Sequence, residues 1–215
     1  MSLWTDFLGN RGRRPIHKWT HYFPIYERHF EPLRNRSVTF LEIGVGGGGS
    51  LQMWKRWLGP LAVVVGLDVR PECKGFEEDQ IHVRIGEQKD ISTLSALVDE
   101  FGPFDAIVDD GSHVMADVTA SFDYLYPRMA TSGVYLVEDM HTSYRRAYGG
   151  GLRQEGSFIE YSKALVDRLN AHHIRKGVDP DAFSDETWAM HFYDSVVVFE
   201  RGPRRPRHAM HSDPS

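Results

Sequence analysis

The sequence predicts an α/β fold in which helices cover both faces of a mostly parallel sheet. Three observations carry the prediction. Short apolar, β-branched runs alternate with amphipathic stretches along most of the chain, and the first such run passes through a glycine turn directly into a helical pattern. The length, 215 residues with 41% hydrophobic side chains, suits one domain with one core.

The elements follow in order. HKWTHYFPIYERHF (17 to 30) spaces aromatics as a helix does, and its proline sits where a helix near residue 24 would open. VTFLEIGV (38 to 45) is a buried strand ended by glycine, and SLQMWKRWLG (50 to 59) sets Leu51, Trp54 and Leu58 on one helical face. LAVVVGLDV (61 to 69) is a second strand closing at Asp68, and IHVRIG (81 to 86) is a third. DISTLSALVDEFG (90 to 102) is a helix with Asp90 at its N-cap and Gly102 past its end. FDAIVDDG (104 to 111) gives a fourth strand, then a helix to about Met129, and GVYLVED (133 to 139) a fifth. Right-handed crossovers make these strands parallel. TSYRRAYGGGLRQEG (142 to 156) lacks a period and is expected to be a mobile loop beside the strand ends. SFIEYSKALVDRLNAHHIRK (157 to 176) reads as a long amphipathic helix, and WAMHFYDSVVVFERG (188 to 202) as a terminal hairpin turning at Tyr193-Asp194.

Composition excludes several function classes. A formal charge of -5 gives no concentrated basic surface for nucleic acid. The stretches RGRR (11 to 14) and RGPRRPRH (201 to 208) are expected to be solvated ends. No apolar run approaches the roughly 18 residues of a membrane span, and MSLWTDFLGNRGRRP lacks the apolar segment of a signal peptide, so a cytoplasmic location is expected. With Cys73 as the sole cysteine there is no intrachain disulfide and no thiolate cluster, so a bound metal must use oxygen or imidazole.

EIGVGGGGSL points to a nucleotide-type cofactor. Glycines let the backbone turn sharply and approach a ligand, and the helix that follows offers free N–H groups. Gly44, Gly46 and Gly49 satisfy GxGxxG, with Gly47 and Gly48 between them, and Asp68 ends the next strand where an acid can take both ribose hydroxyls. This spacing alone does not separate NAD from S-adenosylmethionine. Two details favour the latter. Glu42, inside the strand before the turn, is placed to meet a methionine ammonium or to hold the glycine loop. Tyr161 precedes Lys163, where the short-chain dehydrogenase pattern requires a lysine four positions on. In GEQKD (86 to 90), Gln88 and Asp90, with Glu87 beside them, suit an adenine edge, although an N-cap explains Asp90 equally well.

The acceptor chemistry is expected in IVDDGSH and VEDMH, at the ends of the fourth and fifth strands. Asp109, Asp110, His113, Glu138, Asp139 and His141 converge there. So many carboxylates demand positive charge, which a divalent cation supplies; oxygen ligation favours Mg2+, with Mn2+ or Ca2+ as alternatives. His113, three residues after Asp110, is suited to take a proton from an alcohol that a metal has acidified.

The order HKWTHYFPIYERHF, LEIGVGGGGSLQMW, GLDV, GEQKD, VDDGSH, VEDMHTSY and HFYDSVVVFE resembles the actinobacterial metal-dependent sugar O-methyltransferases of macrolide pathways, over roughly residues 17 to 200. The resemblance implies a class I S-adenosylmethionine methyltransferase (Rossmann-like) fold, with a seven-stranded, mostly parallel sheet and a C-terminal antiparallel hairpin. It implies a domain over 17 to 202 between an N-terminal extension (1 to 16) and a flexible tail (203 to 215), with S-adenosyl-L-methionine, Mg2+ and a saccharide acceptor as its ligands. By motif, Asp110, Glu138 and Asp139 match the metal ligands, Asp109 being able to replace Asp110, and His113 the general base. Lys18, Glu42, Gly44, Gly46, Gly47, Gly48, Asp68, Glu87, Gln88 and Asp90 match the cofactor contacts. His141, Tyr144, Arg145, Arg146, Tyr148 and Tyr193 suit a sugar. The macrolide enzymes carry a large extra N-terminal domain absent from this sequence, so acceptor surface and assembly, a homodimer among the possibilities, lie outside what the resemblance implies. The sequence is also similar to mycobacterial enzymes that methylate the 1-hydroxyl of a short mannoside. An NAD-dependent oxidoreductase and a non-catalytic module that keeps the pocket are the competing readings.

Overall fold

The computed structural model describes residues 2–203 and 209–212. The chain forms helices α1 (Leu3–Leu8) and α2 (Phe23–Phe30), strand β1 (Thr39–Ile43), α3 (Gly49–Leu58), β2 (Val63–Asp68), β3 (Ile81–Ile85), α4 (Ile91–Phe101), β4 (Ala106–Asp109), α5 (Met115–Leu125) and β5 (Val134–Val137). Then come α6 (Phe158–Leu169), α7 (Ala182–Glu186), β6 (Thr187–Tyr193) and β7 (Val196–Arg201). The seven strands lie in the order β3-β2-β1-β4-β5-β7-β6; β1 to β5 pair in parallel, and β7 pairs antiparallel with both β5 and β6. This is the predicted Rossmann-like methyltransferase topology with its terminal hairpin. Among the described residues no helix is long and apolar enough to cross a membrane.

Strand pleating divides the core into two layers. Phe40, Val64 and Val108 face Tyr26, Phe30 and Trp54 of α2 and α3, while Leu41, Val65, Ile107 and Tyr135 face Leu94, Phe122 and Phe158 of α4, α5 and α6. Trp54 is fully buried between Phe40, Phe30 and Tyr26, in ring contacts of 4.8 to 5.8 Å. Pro24 stands in the first turn of α2, and the Asp90 carboxylate caps α4 by accepting from Ser92 N and Thr93 N.

Three expectations are corrected. Of residues 11 to 14, Arg11 to Arg13 are exposed as expected, but the stretch is no free end: α1 before it packs on α3 through the Arg56–Asp6 ion pair, and Arg14 donates to Phe76 O and pairs with Glu78. Of the second basic stretch, 204–208 lie outside the described residues, as does part of the expected tail. The segment after β5 is no loose loop. It winds into two short 3-10 turns, Met140–Tyr144 and Arg146–Tyr148, with Thr142 and Ser143 buried and Ser143 Oγ on the Met115 sulfur. The long helix from 157 stops at Leu169, where Asn170 leaves helical geometry and its side chain bonds back to Val166 O.

Candidate active site

The strand order reverses between β1 and β4, so their C-terminal ends splay apart and open a crevice, where ligands bind in sheets of this kind. Two cavities meet there at Gly44. The smaller, about 250 Å³, is lined by Ile43, Gly44, Leu67, Asp68, Glu87 and Gln88 among others. The larger, about 550 Å³, holds Lys18, Trp19, Gly46, Asp110, His113 and Asp139 in its wall.

The glycine turn is built for close approach. Gly44 has φ +91°, and a Cβ there would lie 2.0 Å from Asp110 O, so only glycine lets the ends of β1 and β4 pass. A Cβ on Gly49 would meet Pro15 O at 2.3 Å, because the segment before α2 lies across the start of α3. No side chain caps α3 at Gly48. Gly46 and Gly47 line the larger cavity, while Gly48 faces Phe76.

Asp68 holds this turn. Its Oδ2 accepts from Val45 N at 2.9 Å and Gly46 N at 3.2 Å, and Arg70 binds both oxygens. Burial works against ionisation, but hydrogen bonds from Arg70 and Val45 outweigh it and hold the carboxyl at about 2. Gln88 is likewise engaged: its amide nitrogen donates to Asp109 and Ser121, and its oxygen accepts from Ser112 N. Asp90 does not line the cavity; its oxygens are occupied by the cap of α4. Glu87 does line it.

Glu42 lies beneath the turn and is fully buried, accepting from Ser50 Oγ at 2.6 Å. Beside it Lys18, expected among the cofactor contacts, is instead engaged by three carboxylates. Lys18 Nζ, itself buried, stands 2.8 Å from Asp110 Oδ2, 2.9 Å from Glu138 Oε1 and 3.1 Å from Glu42 Oε1. Burial opposes its charge, but Asp110 and Glu138, with Glu42, hold its pKa well above the ordinary value. Burial and the neighbouring Asp110 push Glu138 upward. Part of the positive charge that the acids demand is therefore supplied by the chain.

Strand alternation separates the two aspartates that end β4. Asp109 turns into the core, where Ser121, Tyr135 and Gln88 bind it, and burial raises its pKa. Asp110 turns into the cavity. There His113 Nε2 lies 3.7 Å from Asp110 Oδ1 and 3.8 Å from Asp139 Oδ2, and Tyr22 donates to Asp139 Oδ1 at 2.7 Å. His113 and Asp139 both adopt left-handed backbone, φ +57° and +54°, a strained geometry for such residues that concentrates at functional sites. Asp110, His113 and Asp139 each bring a ligand atom to within 4.8 Å of the others. Two carboxylates and an imidazole at an open cavity fit a hard divalent cation. Glu138, expected in that set, instead directs Oε1 to Lys18.

Of the sugar candidates, His141, Arg145 and Tyr148 line the larger cavity, whereas Tyr144 and Arg146 do not. Tyr193 is elsewhere altogether, its hydroxyl 2.9 Å from His29 Nε2. Sequence reasoning missed Trp19, which is half exposed and packs 5.7 Å from the His141 ring, and Tyr22. The aromatic-rich HKWTHY stretch was the available signal.

No family model matches the chain. It is 37% identical over 190 residues, 84% of its length, to 8-demethyl-8-alpha-L-rhamnosyl tetracenomycin-C 2'-O-methyltransferase of Streptomyces olivaceus, covering 50% of that protein. It is 34% identical over 208 residues, 91% of its length, to mycinamicin VI 2''-O-methyltransferase of Micromonospora griseorubida, covering 52%. The chain thus spans about half the length of the curated relatives it matches. Among solved structures, the MycE methyltransferase of the mycinamycin biosynthetic pathway, in complex with Mg, SAH and mycinamycin VI, superposes with a TM-score of 0.83 at 33% identity, over 93% of this chain and 53% of that one.

Proposed function

We propose that the protein is an S-adenosylmethionine-dependent, Mg2+-dependent O-methyltransferase acting on a saccharide hydroxyl. The observation that carries this reading is the placement of His113 between Asp110 and Asp139, in a cavity that adjoins the glycine turn through Gly44. The relatives, methyltransferases of glycosylated natural products by name, and the Mg and SAH of MycE support it. In this reading Gly44, Gly46, Gly47 and the neighbours of Asp68 take the cofactor, Asp110, Asp139 and Glu138 hold the metal, and His113 stays free as the base.

When bound, the cofactors supply a sulfonium methyl group and a cation that acidifies the acceptor hydroxyl. The chain does the rest. His113 Nε2 would take the proton of the acceptor hydroxyl and hold it on the imidazole, leaving the oxygen as the nucleophile toward a bound sulfonium methyl. Asp110 and Asp139 orient that ring and stabilise its charge. Trp19, His141 and Tyr148 present aromatic faces for a sugar, and Arg145 a planar donor. The proposed acceptor is the sugar of a glycosylated small molecule, which the relatives' names support. The narrower reading, the 1-hydroxyl of a short mannoside in methylmannose polysaccharide synthesis, rests on the motif resemblance alone.

Cofactor class is tested by thermal denaturation with S-adenosylhomocysteine or NAD. A ligand at 100 times its Kd stabilises by about 2.7 kcal/mol, which raises the melting temperature measurably. A rise with S-adenosylhomocysteine and none with NAD is expected; a rise with NAD alone overturns the proposal.

A further inference from the structure

We infer that His29, His191 and Glu200 form a second metal site, outside the acidic cleft, for a borderline divalent ion such as Zn2+. None of the three lines either cavity. His29 stands in the last turn of α2 and is buried. His191 lies on the edge strand β6 opposite Val198 of β7, which makes Glu200 its diagonal neighbour. One ligand atom from each of the three falls within 4.8 Å of the others.

The three ligand atoms stand close to the spacing of a coordination shell. Glu200 Oε1 is 2.8 Å from His29 Nδ1 and 3.4 Å from His191 Nε2, and the imidazole centroids are 4.7 Å apart. Ligand atoms around a tetrahedral ion with bonds of about 2.0–2.2 Å stand roughly 3.4 Å from one another, so small adjustments admit the ion.

Two further features point to a ligand. His191 Nε2 is buried and makes no hydrogen bond, a cost that a metal–nitrogen bond removes. The other ring nitrogen of His29 is 2.9 Å from the Tyr193 hydroxyl, the outer partner that a ligating histidine requires to fix its tautomer. Two imidazoles and one carboxylate, with no thiolate, select Zn2+ and similar ions over Mg2+. Glu200 and His191 are each about a quarter exposed, which gives the ion a way in and leaves a coordination position for water. Such an ion ties α2 to the hairpin of β6 and β7.

The test is equilibrium dialysis of metal-free protein against Zn2+ in excess Mg2+, with bound metal counted by mass spectrometry and folding checked by circular dichroism. Wild type and Asp139→Asn are expected to retain one tight equivalent of Zn2+, and His191→Ala to lose it. Tyr193→Phe, which keeps every ligand, is expected to weaken binding by about 10- to 100-fold. Glu200→Gln serves as the second ligand variant should His191→Ala fail to fold. Equal retention in wild type and in a folded ligand variant, loss in Asp139→Asn alone, or no retention by wild type would overturn the site.

Discussion

Lys18 holds Asp110 and Glu138 together across sequence separations of 92 and 120 residues. Removing one partner from a buried charge cluster leaves the others uncompensated, typically at a cost of about 3–5 kcal/mol. Lys18→Ala is therefore expected to lower the unfolding free energy of metal-free protein, measured in urea, by an amount of that order, and a change below about 1 kcal/mol would contradict the role given to the ammonium. His113 is a different case, since it is partly exposed and makes no short contact. His113→Ala is expected to leave stability and S-adenosylhomocysteine binding nearly unchanged while turnover falls by about 10²- to 10⁴-fold, the usual worth of a general base. The sequence made His113, Asp110 and Asp139 legible because strand ends of a parallel sheet converge by topology. It offered Lys18 only as a cofactor contact and concealed its pairing with Asp110 and Glu138, which are distant in sequence. It misplaced Tyr193, because nothing local reveals that the hairpin meets His29 of α2.

At the level of elements, the strand-and-helix alternation was readable because each piece obeys a local rule. Asp90 caps the start of α4, which ends at Gly102 as expected, although in extended and not left-handed backbone, and Leu51, Trp54 and Leu58 are buried on one face of α3. The segment after β5 was misread because its order comes from turn hydrogen bonds such as Gly151 N to Ser143 O, which leave no periodic signature. The glycine turn likewise depends on a contact that pattern alone does not supply, the Asp68 carboxylate beneath Val45 and Gly46. A carboxyl held at about 2, against an unfolded value near about 3.9, contributes stability that is complete above the unfolded value and disappears as pH falls through the folded one. Its size is about 2 kcal/mol. Wild type should therefore lose more stability than Asp68→Asn between pH 5 and pH 2, as measured by urea unfolding. Identical pH dependence in the two proteins would show that Asp68 does not clamp the turn.

For the whole molecule, the sheet places two cavities side by side at its switch point, joined at Gly44, which is the arrangement that the proposed methyl transfer from one to the other requires. The N-terminal segment completes the second cavity with Lys18 and Trp19, which makes residues 15 to 19 and Tyr22 part of the site. The most direct measurement is transfer of label from methyl-labelled S-adenosylmethionine to a panel of rhamnosides, mannosides, glucosides and glycosylated macrolides, with Mg2+ and with EDTA. Label in a sugar methyl ether with Mg2+, abolished by EDTA and restored by added Mg2+, is the predicted result. Undiminished transfer in EDTA, or cofactor binding with no label in any sugar, would contradict it.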